Sequence, residues 1–165
     1  ILQADREIVD AQLSSLAITL ISMLVVMAML WRSARLAALA LGVSLVPLAV
    51  LAMLAAGFAV PLNSVTAMIA ALVLGISIDD AVHLVTHWLQ LRKQGVEPAA
   101  ALAESLDAKG PAILCTSLIL IGFSMALVWM SFPPVQHFGW LSAAAYGAAL
   151  MAVLWALPAF LATRK

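Results

Sequence analysis

Polar residues punctuate this chain at long intervals, and the apolar runs between them have the length of membrane spans. Leu13 to Trp31 is nineteen residues without a charge, close to the about 20 that a helix needs to cross hydrocarbon. It closes on Trp31, Arg32 and Arg35, an aromatic followed by cations, as expected at a membrane interface. The second run, Leu36 to Phe58, contains Pro47, which predicts a kink that neighbouring membrane helices can accommodate. An uncharged turn follows over 57–64, in which Asn63 or Ser64 can cap the next helix. The third run starts near Ser64, stays apolar to Ile78 and continues, more polar, through Trp88 to Lys93. At 1.5 Å per residue that is a helix of about 44 Å, long enough to emerge into water. Pro98 in a first turn and Leu102 with Leu106 at i, i+4 predict a short amphipathic helix at the interface, with Gly110-Pro111 turning the chain into the next span. The fourth span is expected to end sharply at Pro133-Pro134, and the fifth to open on small residues around Gly139 and Ser142.

The pattern predicts an all-α polytopic membrane helix bundle. Its five spans lie at about 13–31, 36–58, 64–92, 112–132 and 138–162, with an interfacial helix at about 97–109. Residues 1–12 form a short segment leading into the membrane, and 13–165 form the transmembrane domain.

Composition strengthens this reading. The chain is 65% hydrophobic and 10% charged, with a mean hydropathy of +1.13, whereas soluble domains carry about 25% charged residues. Too little charge is present to cover a water-exposed surface. The formal net charge of zero argues against a polyanionic partner, so nucleic acid is excluded. Cys115 is the single cysteine, so no disulfide framework exists, and the eight methionines form no ligand cluster. The chain starts on Ile1, and the expectation is a piece of a longer polypeptide without a signal peptide in this stretch.

Cations set the orientation. Arg32, Arg35, Arg92, Lys93, Lys109, Arg164 and Lys165 all fall on one side of a five-span topology, and Arg6 alone on the other. The positive-inside rule makes the former side cytoplasmic, with the N-terminus extracytoplasmic and the C-terminus cytoplasmic. Trp31 and Trp88 fall near one interface, Trp129 and Trp140 near the other, as an aromatic belt would place them.

One stretch breaks the apolar rule. In Gly75-Ile76-Ser77-Ile78-Asp79-Asp80-Ala81-Val82-His83 two adjacent carboxylates interrupt a helix whose apolar residues continue for about three further turns. Each acid costs roughly 2.5–3.5 kcal/mol at a helix centre on the insertion scale, and intramembrane acids mark ion or substrate pathways. Two carboxylates this close in a low dielectric cannot both ionise cheaply, so they titrate as a coupled unit. Solvation at a helix exit is the plainer alternative, and the apolar residues that follow argue against it. Asp79, His83 and His87 recur at i, i+4 and i+8, and Asp80 is three residues from His83. The His83–His87 pair could bind a metal, but no base lies between the histidines and no further ligand is specified, so no metal is assigned. A relay role for His83 fits better, while His87 and His137 read as interfacial and loop residues. Thr116 and Ser117 sit at similar depth on the next span and are candidate relay partners. Bonding back to their own helix is the alternative.

The Gly-Ile-x-Ile-Asp-Asp-x-x-His motif at 75–83 resembles the fourth-helix motif of the RND superfamily. The likeness is to its branch of lipid-type exporters, which includes MMPL and hopanoid-transporter-like proteins and is related to Patched and sterol-sensing domains. Supporting likenesses run through Gln12-Leu13-Ser14-Ser15-Leu16, Pro61-Leu62-Asn63-Ser64, Gly110-Pro111-Ala112, Thr116-Ser117, Gly122-Phe123, Phe138-Gly139 and Leu157-Pro158-Ala159. Gly75 is expected to serve helix packing. The resemblance implies five of the six helices of one half-transporter. It implies proton coupling at Asp79 and Asp80, with the proton as coupling ion and no cofactor. MMPL proteins often carry Asp-Tyr where this chain has Asp79-Asp80, and no lysine counter-ion occurs within the spans.

The expected function is therefore the membrane part of a proton-motive-force-driven exporter of hydrophobic or lipid-like substrates in a bacterial inner membrane. It is not expected to be an enzyme. Its expected partners are the other half of the same transporter and its porter domain, the substrate and membrane lipids; a homo-oligomer is left open. The alternatives are a sterol-sensing-like module that binds lipid without pumping, and a metalloenzyme using His83, His87 and Asp79.

Overall fold

The computed structural model describes residues 2–60 and 64–162. Helix α1 (Leu2–Trp31) runs without interruption, so the lead-in segment and the first span are one helix. The turn after it uses Arg32 at φ 52 and Ser33, whose hydroxyl accepts from the Leu36 N–H at the start of α2 (Ala34–Ser44). The second span continues as α3 (Val46–Gly57), with Pro47 in its first turn. Leu45 between them keeps helical angles and donates to the Leu41 carbonyl at 3.0 Å. Pro47 therefore opens α3 without unwinding the span.

Helix α4 (Ser64–Lys93) matches the predicted third span and its polar extension. It stops in a Schellman turn: Val96 N–H bonds to Leu91 O, Gly95 N–H to Arg92 O, and Gly95 takes φ 87. Glu97 then accepts from Ala100 N–H at 3.2 Å, with Pro98 as the first residue of α5 (Pro98–Leu127).

Two proline readings are corrected here. Gly110-Pro111 makes no turn; the amphipathic segment and the fourth span form one continuous helix with Pro111 inside it. Buried Ala101, Leu102 and Ser105 before the proline, and Ile113 and Ser117 after it, hold both halves against the bundle. One lost backbone bond does not overcome that packing. Pro133-Pro134 likewise does not end the fourth span, which stops at Leu127; it opens α6 (Pro133–Met151), where a missing N–H is harmless. A π turn over Ala152–Ala156 leads into α7 (Leu157–Ala162), so that the span absorbs Pro158 without ending.

Gly139 explains the tight α5–α6 hairpin. A Cβ built there would lie 2.7 Å from Ser124 O and 3.0 Å from Val128 N. Gly139→Ala is expected to force the helices apart and destabilise the protein by about 1–3 kcal/mol, read as an earlier unfolding transition in detergent.

Helix α4 packs against α1, α2, α3, α5 and α6 and is the centre of the bundle. Two buried clusters share it. One joins Trp31, Leu36, Leu84, Trp88 and Leu157 at the cation-rich end, and the other joins Leu51, Ile69, Val73, Leu141 and Tyr146 toward the opposite end. Large apolar side chains face outward on α1 (Ile18, Ile21, Met29) and α5 (Ile119, Phe123), as a lipid solvent allows. Five helical stretches are long and apolar enough to cross a membrane. Trp31 and Trp88 are not belt residues: both are buried, and their indole N–H groups bond to Thr86 Oγ1 at 3.0 Å and Pro98 O at 3.3 Å. The roles expected of Asn63 and Ser64 as caps, of the charged side chains in residues 1–10, and of Arg164-Lys165 lie outside the described residues.

Candidate functional site

The helix period separates the two aspartates. Adjacent residues point about 100° apart, and here that difference turns Asp79 out of the bundle and Asp80 into it. The Asp79 side chain is 72% exposed, whereas Asp80 is 8% exposed. Asp79 Oδ1 lies 3.6 Å from Nε2 of His83, which is itself 63% exposed. That is an ion-pair distance, longer than a hydrogen bond. Asp79 and His83 thus occupy a face of α4 that this chain leaves bare.

Asp80 faces a different environment. Its Oδ2 is buried without a hydrogen-bond partner, and so is the hydroxyl of fully buried Ser77, one turn earlier on the same face. Ser44 of α2 reaches this point: its hydroxyl donates toward Ala40 O at 3.0 Å and Ser77 O at 3.3 Å. Neither Ser44 nor Ser77 was singled out from sequence. A small polar residue one turn before Asp80 was the available signal.

The other expected site residues fall elsewhere. Thr116 is exposed and bonds back to Ala112 O and Ile113 O, both at 3.1 Å, the local alternative. Ser117 is buried at 3% exposure, and neither hydroxyl bonds to Asp79, Asp80 or His83. A Cβ built at Gly75 meets nothing within 4 Å. Among the described residues no three His, Cys, Asp or Glu side chains gather as a metal site. His87 is held within the bundle, its Nδ1 3.2 Å from Ser105 Oγ on α5. Sequence reading missed Ser105 altogether.

Gly75 instead opens onto a groove. A cavity of about 400 Å³ runs between α1, α3 and α4, lined by Ser15, Thr19 and Met23, by Leu51, and by Gly75 and Ile78. Its walls are almost wholly apolar, with the hydroxyls of Ser15, Thr19 and Thr66 toward the end away from the cations. The other end stops at Ile78, the residue before Asp79.

Residues 2–164 match the model of the MMPL family. The chain belongs to the MMPL family. A candidate membrane protein of Methanocaldococcus jannaschii is 28% identical over 102 residues, which is 62% of this chain and 26% of that protein. The chain therefore spans about a quarter of the length of this relative. No solved structure matches. An integral membrane bundle with an MMPL assignment agrees with the resemblance drawn from the Asp79-Asp80 motif.

Proposed function

We propose that this chain is the membrane part of a proton-motive-force-driven RND-type exporter, in which Asp79 and Asp80 load and release the coupling proton. The carrying observation is the division of labour on the central helix. One carboxylate is held inside the bundle without a partner, and its neighbour stands on a bare face beside His83. A charge at membrane depth needs a partner. The other half of the transporter would cover this face, supplying what Asp79 and His83 lack within one chain. Nothing in this reading calls for enzyme chemistry or a cofactor other than the proton. The cation-rich end would face the cytoplasm of a bacterial inner-membrane protein. The test is accumulation of cargo in vesicles containing the full-length protein: it should require an imposed proton gradient and stop when an ionophore collapses it.

The groove supports hydrophobic or lipid-like cargo, and it also supports the second reading, a sterol-sensing-like lipid-binding module. Gly75→Leu separates these from a purely structural groove. A Cβ at this position meets nothing within 4 Å and the rest of the side chain would enter the groove, and leucine is a better helix former than glycine by about 0.8–1 kcal/mol. The variant should fold at least as well as wild type while losing most labelling by a photoreactive lipid. If labelling persists in Asp79→Asn and Asp80→Asn but transport is never detected in wild type, the regulatory reading is preferred.

A further inference from the structure

We propose that Asp79, His83 and His87 form a proton path along one stripe of α4, with Ser105 of α5 as the positioning residue that fixes the tautomer of His87. This rests on the proton-coupling reading above and gives the proton its route between the aspartates and the cation-rich end.

The stripe follows from helix geometry. Residues four apart are offset by about 40° and rise about 6 Å. From Asp79 to His87 the path therefore climbs about 12 Å while turning gradually around the helix. The surroundings change as this drift requires: Asp79 and His83 stand on the bare face, and His87, two rungs on, is half-buried against α5. The first gap, Asp79 to His83, is 3.6 Å, and His87 stands one further rung along the helix.

The tautomer is set by counting protons. Ser105 has one hydroxyl proton, and it donates that proton to Ala101 O at 2.7 Å. With the proton on this shorter bond, the oxygen meets His87 as an acceptor, and the 3.2 Å contact assigns the hydrogen to Nδ1. Neutral His87 therefore offers a bare Nε2. A transported proton reaches Nε2, makes the ring cationic, and leaves from Nε2 again while the Nδ1–H bond to Ser105 stays intact. At the other rung His83 presents Nε2 to Asp79 and takes up the proton that the carboxyl group sheds. Only O–H and N–H bonds form or break.

Asp80, beside Asp79 on the same helix, is the acid whose charge both Asp79 and His83 feel. Within α1, α3 and α6 the described side chains include no acid or cation besides His137, which lies at the opposite end. Arg35 on α2 and Glu104, Asp107 and Lys109 on α5 are the remaining candidates on packed elements. Among the described residues, Asp79–His83 is the pair within 4.0 Å, and neither Glu104 nor Asp107 pairs with a histidine. Arg92, beyond the stripe, is engaged with Val96 O at 2.8 Å.

The test uses the full-length protein in vesicles, with nitrogen-15 histidine spectra from the same samples. Wild-type His87 should show the Nδ1–H tautomer at neutral pH, and Ser105→Ala should give a tautomer mixture. His87→Gln should slow proton-driven turnover at least about tenfold with unchanged KM, and the His83→Gln/His87→Gln double variant should be no slower than the slower single one. His87→Gly should recover on adding imidazole, which a packing defect would not do. A His87→Gln protein with wild-type rate and pH profile, alongside an inactive Asp79→Asn, overturns the path while leaving the coupling pair standing. Wild-type transport indifferent to the proton gradient overturns both.

Discussion

Full-length protein carrying Asp79→Asn or Asp80→Asn is expected to insert and bind cargo but to lose the ability to hold a cargo gradient. One proton falling through 100 mV supplies about 2.3 kcal/mol. At about 1.4 kcal/mol per decade, that sustains roughly a 40-fold concentration ratio. An amide cannot be loaded on one side and unloaded on the other, so the ratio should fall to about one while exchange of labelled cargo down its own gradient persists. The two variants should differ in detail. Asp79 shares its face with His83, so Asp79→Asn also removes the acceptor of that ion pair. Asp80 makes no such contact, although its charge reaches Asp79 and His83, so its loss should disturb the His83 signals in the histidine spectra less than Asp79→Asn does. Wild-type accumulation in both variants would refute the assignment of the coupling pair.

The length of the apolar run was enough to place the central helix, because a crossing helix needs about 20 predominantly apolar residues. Ser64–Lys93 appears with the predicted bounds, and so does the anomaly at Asp79-Asp80. Proline was misread twice for one physical reason. It forbids one backbone hydrogen bond and shapes one turn, and whether a helix tolerates that depends on packing from other segments. Pro111 is held in line by residues buried on both sides, whereas Pro133 opens α6, whose place beside α5 is set where Gly139 closes on Ser124. Neither effect is local in sequence.

The site shows the same division. That two adjacent acids point different ways follows from helix geometry alone, but which of them faces inward depends on α2. Its Ser44 meets the helix at Ser77, on the face that carries Asp80. The His87–Ser105 contact spans 18 positions, and no local spacing announces it. The groove is less legible still, being a gap left by α1, α3 and α4 in which glycine contributes by having no side chain.

Asp80→Leu is expected to stabilise the folded protein and abolish transport together. A buried polar group left without a partner costs about 1–3 kcal/mol, and Asp80 Oδ2 is such a group, next to an unpartnered Ser77 hydroxyl. Leucine removes the desolvated oxygens and fills a similar space within a cluster already made of Ile78, Ala81 and Leu84. Buried charged groups replaced by well-packed apolar ones commonly gain stability in this way. Asp79→Leu should bring no such gain, since Asp79 is exposed and gives up its contact with His83. Chemical unfolding of the two variants in the same detergent measures the difference. Stabilisation at 80 with none at 79 would identify Asp80 as a residue kept at the expense of the fold, as a stability–activity trade-off predicts for a working site. A leucine at 80 that destabilises the bundle by several kcal/mol would show instead that Asp80 holds the core together, and the coupling role would then rest on Asp79 and His83.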